Sequence, residues 1–232
     1  TPMNRITADA EYRPDNPVAN SATISADSLT LSEFRRFIPS VLKDPLPVVY
    51  LFGELTKDSL WVTISARRDE QRIDIEADAY PLSAAYESLS SGPISYLADV
   101  VLDRVASEDW VTDTTVRVTL NGSVAIEGSG MEPEKARVSV EADFERSLID
   151  IYRLSAFWFD IDYAEQAVSG AFKGEGEFGK IEARGEVGEL FDSVSYDLDL
   201  DIAGLNLARL GFGDTLQTDI NLSAQTSGKG YT

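Results

Sequence analysis

Apolar side chains recur at every second position through most of this chain. Between residues 194 and 228 one run carries Val194, Tyr196, Leu198, Leu200 and Ile202. A second carries Leu216, Ile220, Leu222 and Ala224, with Thr218 in step. The positions between them, Asp197, Asp199, Asp201, Asp219, Asn221 and Ser223, are polar. A period of two predicts strands with one face dry and the other wet. The bridge Gly204–Asp214 spaces Leu205, Leu207 and Leu210 for one or two turns of helix.

The same alternation predicts an edge strand over Ile6–Tyr12 and strands through Ile24–Leu31, Val49–Leu55, Leu60–Ala66 and Ile73–Ala79. Further on it predicts strands through Val116–Ile126, Val138–Phe144, Ile149–Ile151, Phe157–Tyr163, Val168–Gly176 and Ile181–Val187. Hairpin turns are expected at Thr56–Ser59 and Arg68–Gln71. Asn121-Gly122 has the chemistry of a type I′ turn, but apolar parity runs through it, so one long strand is expected. Two stretches break the pattern. Thr30-Leu-Ser-Glu33 has capping-box spacing and precedes Phe34, Phe37, Ile38, Val41 and Leu42, which predicts a short helix stopped by Pro39, Pro45 and Pro47. In a helical insertion over 82–109, Ile94, Leu97, Ala98, Val101, Leu102 and Val105 follow Pro93 at helical spacing and predict an amphipathic helix, with a shorter piece over Leu82–Leu89 before it. The expected fold is mainly β: an elongated, curled antiparallel sheet with short helical insertions, one domain over 1–232, cut from a longer polypeptide.

Composition narrows the function. With 40 acidic against 20 basic residues in 232, the formal charge of −20 disfavours nucleic acid and anionic membrane surfaces. The absence of histidine and cysteine excludes Ser-His-Asp and Cys-His catalysis, disulfides and ordinary zinc sites. No apolar run approaches the ~20 residues that span a bilayer as a helix, so any membrane anchor lies in segments outside this sequence.

Three motifs have bland readings. Gly174-Glu-Gly176-Glu-Phe-Gly179 fits a dinucleotide fingerprint, but its glutamates would face pyrophosphate and no helix pattern follows. Asp197-x-Asp199-x-Asp201 lacks the glycine and the twelfth-position acid of a calcium loop. Phe157-Trp158-Phe159 puts aromatics on both faces of a strand, either as a doubly buried strand or as an aromatic wall against a ligand. No metal, cofactor or catalytic residue is expected.

Residues 22–57 and 194–230 repeat one order: strand, Leu-x-Leu, bridge, strand with a glycine near its end. SLTLSEFRRFIPSVLKDPLPVVYLFGEL (28–55) and YDLDLDIAGLNLARLGFGDTLQTDINLSAQTSGKG (196–230) resemble the recurring unit of the TamB and AsmA-like envelope proteins. The resemblance implies a U-shaped β-taco groove, hydrophobic within, in the periplasm of a diderm bacterium. It also implies an inner-membrane anchor outside this segment, phospholipid or another acyl-chain lipid as cargo, and an outer-membrane β-barrel partner in membrane protein assembly. The in-register residues expected to line the groove are Leu60, Val62, Ile64, Ile73, Ile75, Val118, Leu120, Val124, Ile126, Val138, Val140, Phe144, Leu198, Leu200, Ile202, Ile220 and Leu222. The rivals are a closed-core β-scaffold with a partner docked on a strand edge, and a carboxylate-dependent hydrolase.

Overall fold

A computed structural model of the chain describes residues 5–11, 21–30, 42–43, 48–56, 59–80, 94–112, 117–130, 132–150, 152–188, 194–212 and 215–230. Thirteen strands form one antiparallel sheet whose spatial order follows the sequence, β1 to β13. They are β1 (Arg5–Glu11), β2 (Ser21–Thr30), β3 (Val48–Thr56), β4 (Leu60–Arg68), β5 (Gln71–Tyr80), β6 (Ser95–Ala106), β7 (Val118–Ser129), β8 (Arg137–Ile149), β9 (Tyr152–Ala164), β10 (Ala167–Gly176), β11 (Gly179–Gly188), β12 (Ser195–Leu205) and β13 (Ile220–Lys229). A single turn of helix, α1 (Ser107–Trp110), follows β6. Among the described residues β1 and β13 do not pair, so the sheet stays open rather than closing into a barrel.

The chain divides into two units. Unit 1 comprises Thr1–Thr115 with Ala125–Ser129, and unit 2 comprises Val116–Val124 with Gly130–Thr232. Strand β7 is shared between them. Within each unit the substantial contacts are between neighbouring strands, joined in unit 1 by α1 against β6. Among the described residues the only buried apolar side chains are Ala26 and Trp110 in unit 1 and Ala136, Ala142, Phe144, Leu154 and Phe178 in unit 2.

The amphipathic helix expected over 94–105 is instead β6. Its apolar residues fall as adjacent pairs, one member on each face, and such pairs mimic helical spacing. Tyr96, Ala98, Val100 and Leu102 stand opposite Ala79, Ala77, Ile75 and Ile73 of β5, while Leu97 and Val101 project from the other face, 41% and 42% exposed. Pairing with β5 satisfies the backbone and buries the inner set together, and the β-branched valines suit the strand. The piece over Leu82–Leu89 and most of the helix after the capping box lie outside the described residues; Leu42 makes one antiparallel bridge to Val111.

Other boundaries shift for local reasons. β7 runs unbroken through Asn121-Gly122, as parity predicts. Of the strand expected over Ile149–Ile151, Ile149 ends β8 and Asp150 turns the chain at positive φ, while residue 151 lies outside the described residues. The bridge after β12 makes only about one hydrogen-bonded turn. Asn206 caps it, its side-chain oxygen accepting the Ala208 N–H at 3.0 Å, and Gly211 at φ +82 ends it. Thr218 is drawn into this fold-back, accepting from the Leu207 N–H at 2.9 Å and donating to the Leu205 carbonyl at 2.8 Å. That is why β13 starts at Ile220 rather than at Leu216. The β9–β10 hairpin turns through Glu165 and Gln166, both at positive φ, a type I′ geometry without its usual Asn-Gly chemistry.

Candidate functional site: an apolar sheet face in each unit

Residues directly opposite each other in an antiparallel ladder share a face, so the register assigns the faces. In unit 1 one cross-strand row runs Ala8, Ile24, Gly53, Val62, Ala77, Ala98. The rows beside it run Ile6, Ala26, Leu51, Ile64, Ile75, Val100 and Ala10, Ala22, Leu55, Leu60, Ala79, Tyr96. Val49, Ala66, Ile73 and Leu102 continue the face. No charged side chain interrupts these rows, and the Tyr96 hydroxyl is their one polar side-chain group. Leu60, Val62, Ile64, Ile73 and Ile75 are thus brought together as the sequence predicts. The opposite face carries Asp74, Glu76, Asp78, Asp99 and Asp103. There Trp61 packs edge-on to Phe52 and donates its indole N–H to Glu76 at 3.1 Å.

A polar row bounds the face of unit 1. Arg68 stands opposite Gln71; its guanidinium is buried and donates to the Asp109 carbonyl. The Gln71 amide donates to the Asp109 carboxylate at 2.6 Å, and its carbonyl accepts the Ala106 N–H and the Trp110 indole N–H, both at 2.8 Å. One glutamine side chain therefore ties α1 across the end of the β4–β5 hairpin.

In unit 2 the rows run Val138, Tyr163, Val168, Val187, Tyr196, Gly228 and Val140, Ile161, Gly170, Gly185, Leu198, Thr226. Beside them lie Ala142, Phe159, Phe172, Ala183, Leu200, Ala224 and Phe144, Phe157, Gly174, Ile181, Ile202, Leu222. These rows are free of charge too. Val138, Val140, Phe144, Leu198, Leu200, Ile202 and Leu222 share the face; Ile220 lies past a register shift, opposite Leu205. On β7, Val118, Leu120 and Val124 have the parity of Gly122, which lies under the Phe144 ring, and all four belong to unit 2. Ile126, in unit 1, has the parity of Gly128, which lies against the Tyr96 ring.

Sequence reasoning placed Phe144 among the groove residues but left Phe157, Phe159 and Phe172 as strand residues outside that set. Phe157 packs tilted against Phe144 and edge-on to Phe159 and Phe172, at centroid distances of 5.8, 5.8 and 5.2 Å. Trp158 points the other way and donates to Glu141 at 3.3 Å. The parity of Phe157 and Phe159 was the available signal. Glycines on this face lie under large neighbours. A methyl group at Gly122 would strike the Asp143 carbonyl and the Phe144 ring, and one at Gly185 would strike Leu198 and the Asp197 carbonyl. The large side chain across the ladder takes up the space that glycine leaves, an arrangement known as aromatic rescue when the neighbour is a ring.

The apolar faces are hollowed and wet. Unit 1 holds a recess of about 460 Å³ with Ile24, Leu51, Leu55, Leu60 and Val62 on its walls. Unit 2 holds one of about 590 Å³ with Phe159, Ile161, Phe172, Ala183, Leu198 and Leu200. Both sizes fall within the ~300–1,000 Å³ of small-molecule sites. Ile24, Leu55 and Leu60 remain 42%, 44% and 38% exposed, and Leu198 and Leu222 42% and 49%. The sheet ladder already occupies the strand N–H and C=O groups, so what remains on these faces is almost entirely hydrocarbon, suited to an apolar ligand.

On the polar face of unit 2, Asp160 stands opposite Glu141. Its carboxyl is held above the ordinary carboxylate range, first by desolvation and then by Asp162 and Glu141. Neither residue lines either recess. Asp197, Asp199 and Asp201 lie on β12 opposite Glu186, Arg184 and Glu182. Among the described residues no group of three or more acids is placed to hold a metal ion.

These features define an open antiparallel β-sheet protein with a charge-free apolar face in each of two units. No protein-family model, no curated protein and no solved structure matches the chain.

Proposed function

We propose that this chain is a segment of a bridge-like lipid transport protein, carrying phospholipid acyl chains on the apolar faces of its sheet. The observation that carries the reading is the unbroken run of charge-free rows in each unit, exposed to solvent along much of their length. Exposed apolar surface of this extent marks an interaction site. An acyl chain gains ~0.8 kcal/mol for each methylene taken out of water. On a face without fixed polar contacts one methylene exchanges for the next at little cost, so the chain slides rather than locking. The role is non-catalytic. The setting we infer, with the TamB-like resemblance as its support, is the periplasm of a diderm bacterium. An anchor in the inner membrane and an outer-membrane barrel partner would be supplied outside this segment.

Photo-crosslinking amino acids at Val62 and Ile64 in unit 1, and at Leu198 and Leu200 in unit 2, test the reading. Adducts with phospholipid are expected at all four and at none of Thr63, Asp197 or Asp199 on the opposite faces. Adducts with protein alone would instead support the scaffold reading.

A further inference from the structure

Past Phe144 and Phe157 in unit 2, beside the β8–β9 turn, lies another recess of about 530 Å³, with Arg146, Leu148, Arg153, Leu154 and Ser155 among its lining residues. Leu148 stands directly opposite Arg153, and Arg146 lies two positions from Leu148 along β8. Both arginines line this one recess, Arg153 from the β8–β9 ladder and Arg146 from the position where β8 leaves regular pleating. Among the described residues neither guanidinium has a carboxylate within 4.0 Å or any hydrogen-bond partner. Elsewhere Arg72, Arg104, Lys135, Arg137, Lys180 and Arg209 are each held by a carboxylate at 2.5–3.5 Å. Glu177, on the same rim, is engaged by Arg209 at 3.5 Å. Arg67, Arg117 and Arg184 also lack a carboxylate within 4.0 Å among the described residues, but Arg146 and Arg153 are the two such arginines that line one recess. Arg146 also sits at φ +46, a conformation uncommon outside glycine and concentrated at ligand clamps.

We propose that Arg146 and Arg153 form a subsite for a phosphate group, either the headgroup phosphate of an anionic lipid or free phosphate. Guanidinium groups bind phosphate through paired, charge-assisted N–H···O bonds. Leu148 and Leu154 give the same recess apolar walls, so a phosphate carrying a hydrocarbon tail meets both chemistries in one place. The net charge opposes anions only at long range. At physiological ionic strength it is screened beyond ~8 Å, and the charged residues lining the recess are the two arginines and Glu177, which Arg209 engages. The lipid source rests on the lipid-transport reading; the phosphate chemistry does not.

Calorimetric titration of the whole chain tests the site with three probes: inorganic phosphate, monomeric dihexanoyl phosphatidylglycerol, and neutral dihexanoylglycerol. The Arg146→Gln/Arg153→Gln variant is expected to lose on the order of tenfold in affinity for the anionic probes and none for the neutral one. Arg146→Lys/Arg153→Lys, which keeps the charge and reports on folding, is expected to recover part of the loss. If phosphatidylglycerol binds more tightly than phosphate, the source is a lipid headgroup; equal affinities assign free phosphate. If phosphate binds and is lost in the glutamine variant while the neutral glyceride does not bind at all, the anion subsite stands and the lipid-transport reading falls. Unchanged anion affinity in the glutamine variant, or no anion binding by the native chain, overturns the subsite.

Discussion

The apolar face of unit 1 is aliphatic, with alanine, valine, leucine and isoleucine in nearly every row and a single tyrosine. That of unit 2 sets four clustered phenylalanines among glycines that larger neighbours overlie. Their polar margins differ as well. Arg68 closes the face of unit 1 buried and bonded, whereas Arg146 and Arg153 stand in the recess beside unit 2's face exposed and unpaired. The comparison separates two ways of keeping hydrocarbon at a wet surface. An aliphatic face gains from many small side chains, none decisive. An aromatic one concentrates its packing in a few rings, of which Phe144 is buried at 5% exposure.

The largest test of that contrast is Phe144→Ala, which removes a 5% exposed ring from the cluster and uncovers Gly122. It is expected to cost about 3 kcal/mol in urea unfolding, against about 1 kcal/mol for Ile64→Ala on the partly exposed face of unit 1. Equal losses would dissolve the distinction. Next, Gln71→Ala leaves the Ala106 N–H and the Trp110 indole without their acceptor. It is expected to cost about 2 kcal/mol, with a red shift in Trp110 fluorescence as α1 loosens. A smaller effect is expected on ligand binding: Val62→Asp and Leu198→Asp each place a charge on a charge-free row. Each should weaken binding of a neutral acyl probe by about tenfold, or ~1.4 kcal/mol, while Thr63→Asp leaves it unchanged.

The smallest effect concerns pH. Folding raises the Asp160 carboxyl above its ordinary value of 3.8, through desolvation and then Asp162 and Glu141. The folded state therefore favours the protonated form. That contribution to stability is present at acid pH and is lost as pH rises through the raised value. Asp160→Asn should then stabilise the protein at pH 7 by about 0.5 kcal/mol, the scale of one cross-strand charge pair. The gain should vanish on acidification below the carboxylate range, as read by paired urea titrations at the two pH values.

Much of this arrangement was legible in the residues alone. Alternation in Leu60–Ala66, Ile73–Ala79, Val138–Phe144 and Val194–Ile202 identified the strands, and with them which side chains share a face. Parity is a local property that survives any error in strand boundaries. It also carried β7 through Asn121-Gly122 against a good turn signal. Parity was equally present for Phe157, Phe159 and Phe172. Their clustering with Phe144 was hidden because it depends on which residue of one strand meets which residue of the next.

The sequence by itself determined that the chain is mainly β and that each strand has one apolar side, because a two-residue period leaves a pleated strand no other way to sort its side chains. Only the tertiary structure decided three things. Residues 95–106 became β6 because β5 offered backbone partners and an apolar row at the right height. Val62 came to lie between Gly53 and Ala77, and Phe144 over Gly122, because ladder register is set between strands rather than within them. Arg68 was paired while Arg146 and Arg153 were left free, because a charge finds its partner across space, at distances that sequence separation does not encode.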